Sequence, residues 1–99
     1  MIINVYDVGD LVRLEAQVTD LLGNPIEPGT IKFSVKTPSG VVSHYQYGID
    51  PLVNKLDMGL FKIDIAVTEP GDWFVRVETT GAGKGAEEMQ FRARKSRVI

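Results

Sequence analysis

The single histidine of the chain, His44, sits in the run Ser43-His44-Tyr45-Gln46. A catalytic or metal-binding histidine needs a base, a nucleophile or further ligands at fixed spacing. The sequence holds no H-x-H, no H-x-x-E-H and no cysteine. His44 therefore reads as a surface or interface residue. Glu87 and Glu88 are adjacent, and successive side chains of a strand point to opposite faces, so they cannot flank one scissile bond. Asp7, Asp10, Asp50 and Asp57 fall in turn-rich stretches with no D-x-D-x-D run, and turn formation is their expected role rather than calcium binding. Gly81-Ala82-Gly83-Lys84-Gly85 has the composition of a phosphate-binding loop. It lacks the G-x-x-x-x-G-K-[ST] spacing and lies between expected strands, where no helix N-terminus helps to hold a phosphate. No nucleophile–base pair and no metal set can be assembled. The chain is expected not to be an enzyme and to need no cofactor.

Other residues are suited to contact rather than reaction. Arg92, Arg94, Lys95 and Arg97 place four of the 11 basic residues within six positions. Tyr45 and Tyr47 alternate with His44 in a run of mixed polarity, the mark of an edge strand or contact surface. Phe74 is turned away from Trp73 by strand alternation, so its exposure depends on whether a second layer covers it. Tyr and Arg are enriched at protein interfaces. The expected protein-contact residues are His44, Tyr45, Tyr47, Phe74, Arg92, Arg94 and Arg97. A net charge of −2 and a pI near 5.3, with no aromatic stacking beside the basic run, argue against nucleic acid. An acidic protein neighbour suits the arginines better.

The elements that must position these residues are strands. Residues 57–78 hold two alternating runs, Phe61-Ile63-Ile65-Val67 and Trp73-Val75-Val77, separated by Pro70-Gly71. Period-2 alternation makes each a half-buried strand, and the two are expected to pair antiparallel. Residues 11–19 alternate likewise, with Val12, Leu14, Ala16 and Val18 inward. Residues 20–29 form a Pro/Gly-rich loop, from which Leu21, Leu22 or Ile26 is expected to plug one end of the fold. Residues 30–36 give a strand with Ile31, Phe33 and Val35 inward, and Thr37-Pro38-Ser39-Gly40 closes a hairpin onto residues 41–47. Residues 2–6 and 52–56 add short strands, and residues 86–94 the last one, with Met89, Phe91 and Ala93 inward. No segment carries a 3.6-residue period. The expected architecture is an all-β, immunoglobulin-like antiparallel β-sandwich of seven or eight strands.

The totals agree. Ninety-nine residues, 43% apolar and 24% charged, suit one globular domain. Its expected bounds are residues 1–95, with 96–99 as a short tail. No apolar run approaches the roughly 20 residues of a membrane span. The opening residues carry no basic, apolar leader pattern, so no secretion is expected.

Two segments resemble known domains. Val18-Thr19-Asp20-Leu21-Leu22-Gly23-Asn24-Pro25, then Ile31-Lys32-Phe33-Ser34-Val35, resembles the V-T-D-x-x-G-x-P … F-x-V opening of bacterial and phage immunoglobulin-like domains. Asp57-x-Gly59-x-Phe61 and Pro70-Gly71-x-Trp73-x-Val75 resemble their D-x-G-x-Y … P-G-x-W/Y-x-V strands. Phe61 stands where such domains carry an inward Tyr whose hydroxyl ties a corner to the backbone, and it has no hydroxyl. Over nearly the whole chain, Val5-Tyr6-Asp7-Val8-Gly9-Asp10-Leu11-Val12-Arg13-Leu14, Gly71-Asp72-Trp73, residues 75–81 and Ala86-Glu87-Glu88 look like small single-domain proteins of tailed bacteriophages. The resemblance implies a virion component of the head or head–tail region, made in the bacterial host cytoplasm and without enzymatic activity. Its implied partners are viral capsid or tail proteins, or further copies of itself, with neither nucleic acid nor membrane. The rival expectation is a carbohydrate- or host-surface-binding adhesion module, which an exposed Phe74 beside Tyr45 or Tyr47 would favour.

Overall fold

A computed structural model describes residues 4–82 and 85–95. They form eight strands: β1 (Asn4–Asp7), β2 (Leu11–Gln17), β3 (Thr30–Lys36), β4 (Val42–Gln46), β5 (Val53–Asp57), β6 (Leu60–Ala66), β7 (Gly71–Thr80) and β8 (Gly85–Arg94). One sheet has the order β1-β8-β7-β3-β4 and the other β2-β6-β5. This is the arrangement of an immunoglobulin-like sandwich, with β2, β6 and β5 in the places of strands B, E and D. The places of G, F, C and C′ are taken by β8, β7, β3 and β4. All pairs are antiparallel except β1 with β8, which run parallel from Asn4↔Phe91 to Asp7↔Arg94.

The alternating residues close the core as their period demands. Ile31, Phe33 and Val35 of β3, Trp73, Val75 and Val77 of β7, and Phe91 and Ala93 of β8 are buried from one sheet. They meet Val12 of β2, Phe61, Ile63 and Ile65 of β6, and Val53 of β5 from the other. Such inward faces interdigitate, and burying each large side chain stabilises the fold by about 1.5–3 kcal/mol.

The structure differs from the sequence reading in how the strands pair. The runs of β6 and β7 do not pair: β6 bonds β2 and β5, whereas β7 bonds β3 and β8. The Pro70-Gly71 link carries the chain from one sheet to the other, so the two runs face each other across the core instead of pairing. A corner bond is nonetheless present, made by Trp73, since Phe61 has no hydroxyl to give one. The indole Nε1 donates to the Glu69 carbonyl at 3.0 Å, four residues back in the link before β7, while Phe61 is buried on β6. Of the three residues expected to plug one end, Ile26 packs on the core, whereas Leu21 and Leu22 stand in solvent. Asp20 Oδ1 accepts the amides of Leu22 and Asn24, both at 2.9 Å, so the tip closes on itself and turns both leucines out. The amide of Ile26 then bonds the Val18 carbonyl at 3.1 Å and brings the chain back.

Candidate functional site

Strand alternation leaves the outer face of each sheet uncovered, and the broader is that of the five-stranded sheet. The register sets its rows. The central row runs Gln90 (β8), Phe74 (β7), Lys36 (β3), Val42 (β4). The row on one side runs Glu88, Arg76, Ser34, His44, and on the other side Arg92 lies beside Asp72. Phe74 is 45% exposed, a large aromatic on the solvent side of a strand whose inward partners are fully buried. Ser34, Lys36, Val42, His44 and Arg76 surround it in a shallow depression of about 460 Å³.

Charge frames this depression. Arg76 Nη1 lies 3.1 Å from Glu88 and its Nε 3.3 Å from Glu78, which in turn faces Lys32 at 4.0 Å. Arg92 Nε donates to Asp72 at 3.0 Å. Such exposed pairs add little stability, but they hold long side chains in one geometry. His44 Nδ1 lies 2.7 Å from Ser34 Oγ, so the imidazole is pinned beside the depression.

The expected contact residues are only partly gathered here. His44 and Phe74 share the face, and Arg92 sits one row from Phe74. Tyr45 and Tyr47 do not: they point to the opposite side of β4, where Tyr45 packs half-buried on the core. The Tyr47 ring stands edge-on to Phe61, with centroids 5.1 Å apart. Thus β4 is an edge strand, but alternation divides its tyrosines from its histidine. Arg94 pairs with Asp7 of β1, whose carboxylate holds the guanidinium above its ordinary pKa range. Arg97, like Gly83, Lys84 and the rest of residues 96–99, lies outside the described residues. The arginine run is therefore no bare basic patch, since both described arginines are matched by carboxylates across strands. Val42, Lys36, Arg76 and Asp72 belong to the face although none stood out in the sequence, and Glu88, weighed there only as a catalytic carboxylate, joins them. Alternation showed which way each points, but their adjacency depends on pairing between distant strands.

The candidate reactive groups are dispersed. Asp10, Asp50 and Asp57 each accept a nearby backbone amide, from Asp7, Leu52 and Met58 respectively. Glu88 lies on the outer face, whereas Glu87 lines a separate groove of about 510 Å³ between β2 and β8. Among the described residues no three of His, Asp and Glu converge. The outer face has an aromatic centre and a charged frame, the makeup of a binding surface.

The class defined by fold and face is thus an immunoglobulin-like sandwich whose broader sheet face carries an exposed aromatic. No family model matches the sequence, and no curated protein does. Among solved structures, 94% of this chain is similar to part of a crystal structure from Bacteroides vulgatus provisionally assigned as a glycoside hydrolase, with TM-score 0.61 and 13% identity. The chain spans 16% of the length of that structure, and at this identity the likeness bears on the fold alone.

Proposed function

We propose that the chain is a non-enzymatic structural module of a tailed-bacteriophage virion, a head accessory, decoration or head–tail protein, that docks the outer face of its five-stranded sheet onto a viral capsid or tail protein. The observation that carries this docking mode is Phe74, 45% exposed at the centre of a rigid, charge-framed sheet face. An exposed aromatic ringed by polar groups is the makeup of an interface anchor. The strands beneath it are fixed by ladders on both sides, so little side-chain or backbone ordering is left to oppose binding. Many copies on a repeating lattice then add up weak single contacts. The viral setting is supported by the sequence resemblance over nearly the whole chain.

The rival reading, a carbohydrate- or host-surface-binding module, draws on the same Phe74. A sugar platform gains from several coplanar rings, and Tyr45 and Tyr47 face the other way, which favours a protein partner. Peptide mass spectrometry of purified virions from the bacterium that carries the gene is expected to find this chain in many copies. Purified protein is expected to co-sediment with capsids, and Phe74→Ser to abolish this. Virions without the chain, or co-sedimentation unchanged by Phe74→Ser, would overturn the reading.

A further inference from the structure

The charges of the outer face are arranged with an internal inversion. Take the row Gln90–Phe74–Lys36–Val42 as a dividing line. On one side of it β7 presents Asp72 and β8 presents Arg92, paired at 3.0 Å. On the other side β7 presents Arg76 and β8 presents Glu88, paired at 3.1 Å. Each strand thus carries opposite signs at equal distances, two residues, either side of Phe74 or Gln90.

We propose that this face mates with the same face of a second copy of the chain, about a two-fold axis lying along that row. The inference rests on the reading of the face as a contact surface and names its occupant off the capsid: the second copy covers the face in free solution and is displaced when the face docks on its viral partner. The operation exchanges the flanking rows while keeping each strand over its own counterpart. Asp72 of one copy then faces Arg76 of the other, and Arg92 faces Glu88. Each of the four charges meets its opposite across the interface as well as beside it, and the isologous contact closes with two copies. Phe74 stacks at the centre against Phe74, with Val42, itself 50% exposed, extending the apolar strip toward the β4 edge. Lys36 is the one charge brought against itself, and its long stem lets the ammonium group swing toward the rim. Four strands at about 4.8 Å spacing, over about seven residues, give a footprint of roughly 15 by 20 Å per copy. That is small for a stable complex, so the dimer is weak and depends on concentration.

The test is sedimentation equilibrium of the purified chain from micromolar to millimolar concentration, with far-UV circular dichroism as a check that each variant is folded. Wild type is expected to pass from monomer to dimer over this range, and Phe74→Ser to weaken association by roughly 30-fold. Lys36→Met is expected to strengthen it. Arg76→Glu and Asp72→Arg are each expected to be monomeric alone, because like charges then meet across the two-fold axis. Mixed together they are expected to associate, since the two carboxylates of the first variant face the two guanidinium groups of the second. A wild-type monomer at every concentration overturns the proposal, as does association that survives Phe74→Ser undiminished or a mixture that stays monomeric. The capsid experiment separates the two levels. A monomer whose capsid binding is lost with Phe74→Ser leaves the contact reading standing and removes only the second copy as occupant.

Discussion

Gly59 sits in the turn between β5 and β6 with φ of 68°, and its missing Cβ would lie 2.6 Å from the carbonyl oxygens of both Val18 and Ile26. Its amide donates to Glu27 Oε1 at 3.0 Å, and Glu27 also binds Lys55 at 2.9 Å, so one residue fastens three segments at this end of the sandwich. Gly59→Ala combines a left-handed backbone with a clash against two backbone atoms. It is expected to destabilise the fold by more than about 1–2 kcal/mol, measured by denaturant unfolding. Charge acts locally here too. The Lys55 ammonium, then the Gly59 amide, hold the Glu27 carboxyl below its usual range. For Asp20 the cause is the amide of Asn24 first, with Leu22 adding to it, and for Asp64 it is Lys62 and then Arg13. A carboxyl with a lowered folded pKa contributes stability that is complete above its unfolded value, about 4, and lost as pH falls through the folded value. Thermal unfolding is therefore expected to be flat on these groups' account above about pH 5 and to fall below about pH 4. Asp20→Asn is expected to lower the midpoint at neutral pH and make the acid decline shallower, as calorimetry would record.

Within single elements the sequence was legible where period 2 met clear punctuation. The bounds read for residues 30–36 are those of β3, because Gly29 and Pro38 bracket a run in which Ile31, Phe33 and Val35 alternate with polar residues. The inward positions of β7 and β8 were equally plain, and so was the outward turn of Phe74. Alternation fixes which side a residue takes, but it does not say which strand lies next to it. That is why β6 and β7 were expected to pair although they sit back to back in different sheets. It is also why Tyr47 reads from sequence as a companion of His44, whereas its ring stands against Phe61. The rows of the outer face were out of reach for the same reason: Lys36 and Phe74 are neighbours through a ladder joining residues 38 positions apart. Phe33, fully buried at the middle of β3, lies beside Tyr45 on one flank and Val77 on the other and packs toward the second sheet. Phe33→Ala is expected to lower unfolding free energy by about 3–5 kcal/mol in urea, whereas Phe74→Ser leaves it within about 0.5 kcal/mol.

For the molecule as a whole, the two sheets are joined by their shared core and by the connections at which the chain changes sheet, the β6–β7 corner among them. Ser39 in the β3–β4 turn donates its amide to Glu69 Oε1 at 2.7 Å, so that turn and the corner are held together as one end of the sandwich. The indole of Trp73 closes the same corner through the Glu69 carbonyl and stacks on Phe91, with ring centroids 5.6 Å apart and planes 11° from parallel. It is the sole tryptophan of the chain. An indole shielded from water emits at shorter wavelength than one in solvent. The chain thus carries its own optical gauge at one of the points where one sheet hands over to the other, a gauge that responds when the sandwich opens. Phe74, the next residue along, faces the opposite way, so an event on the outer face can be watched from beneath without a label.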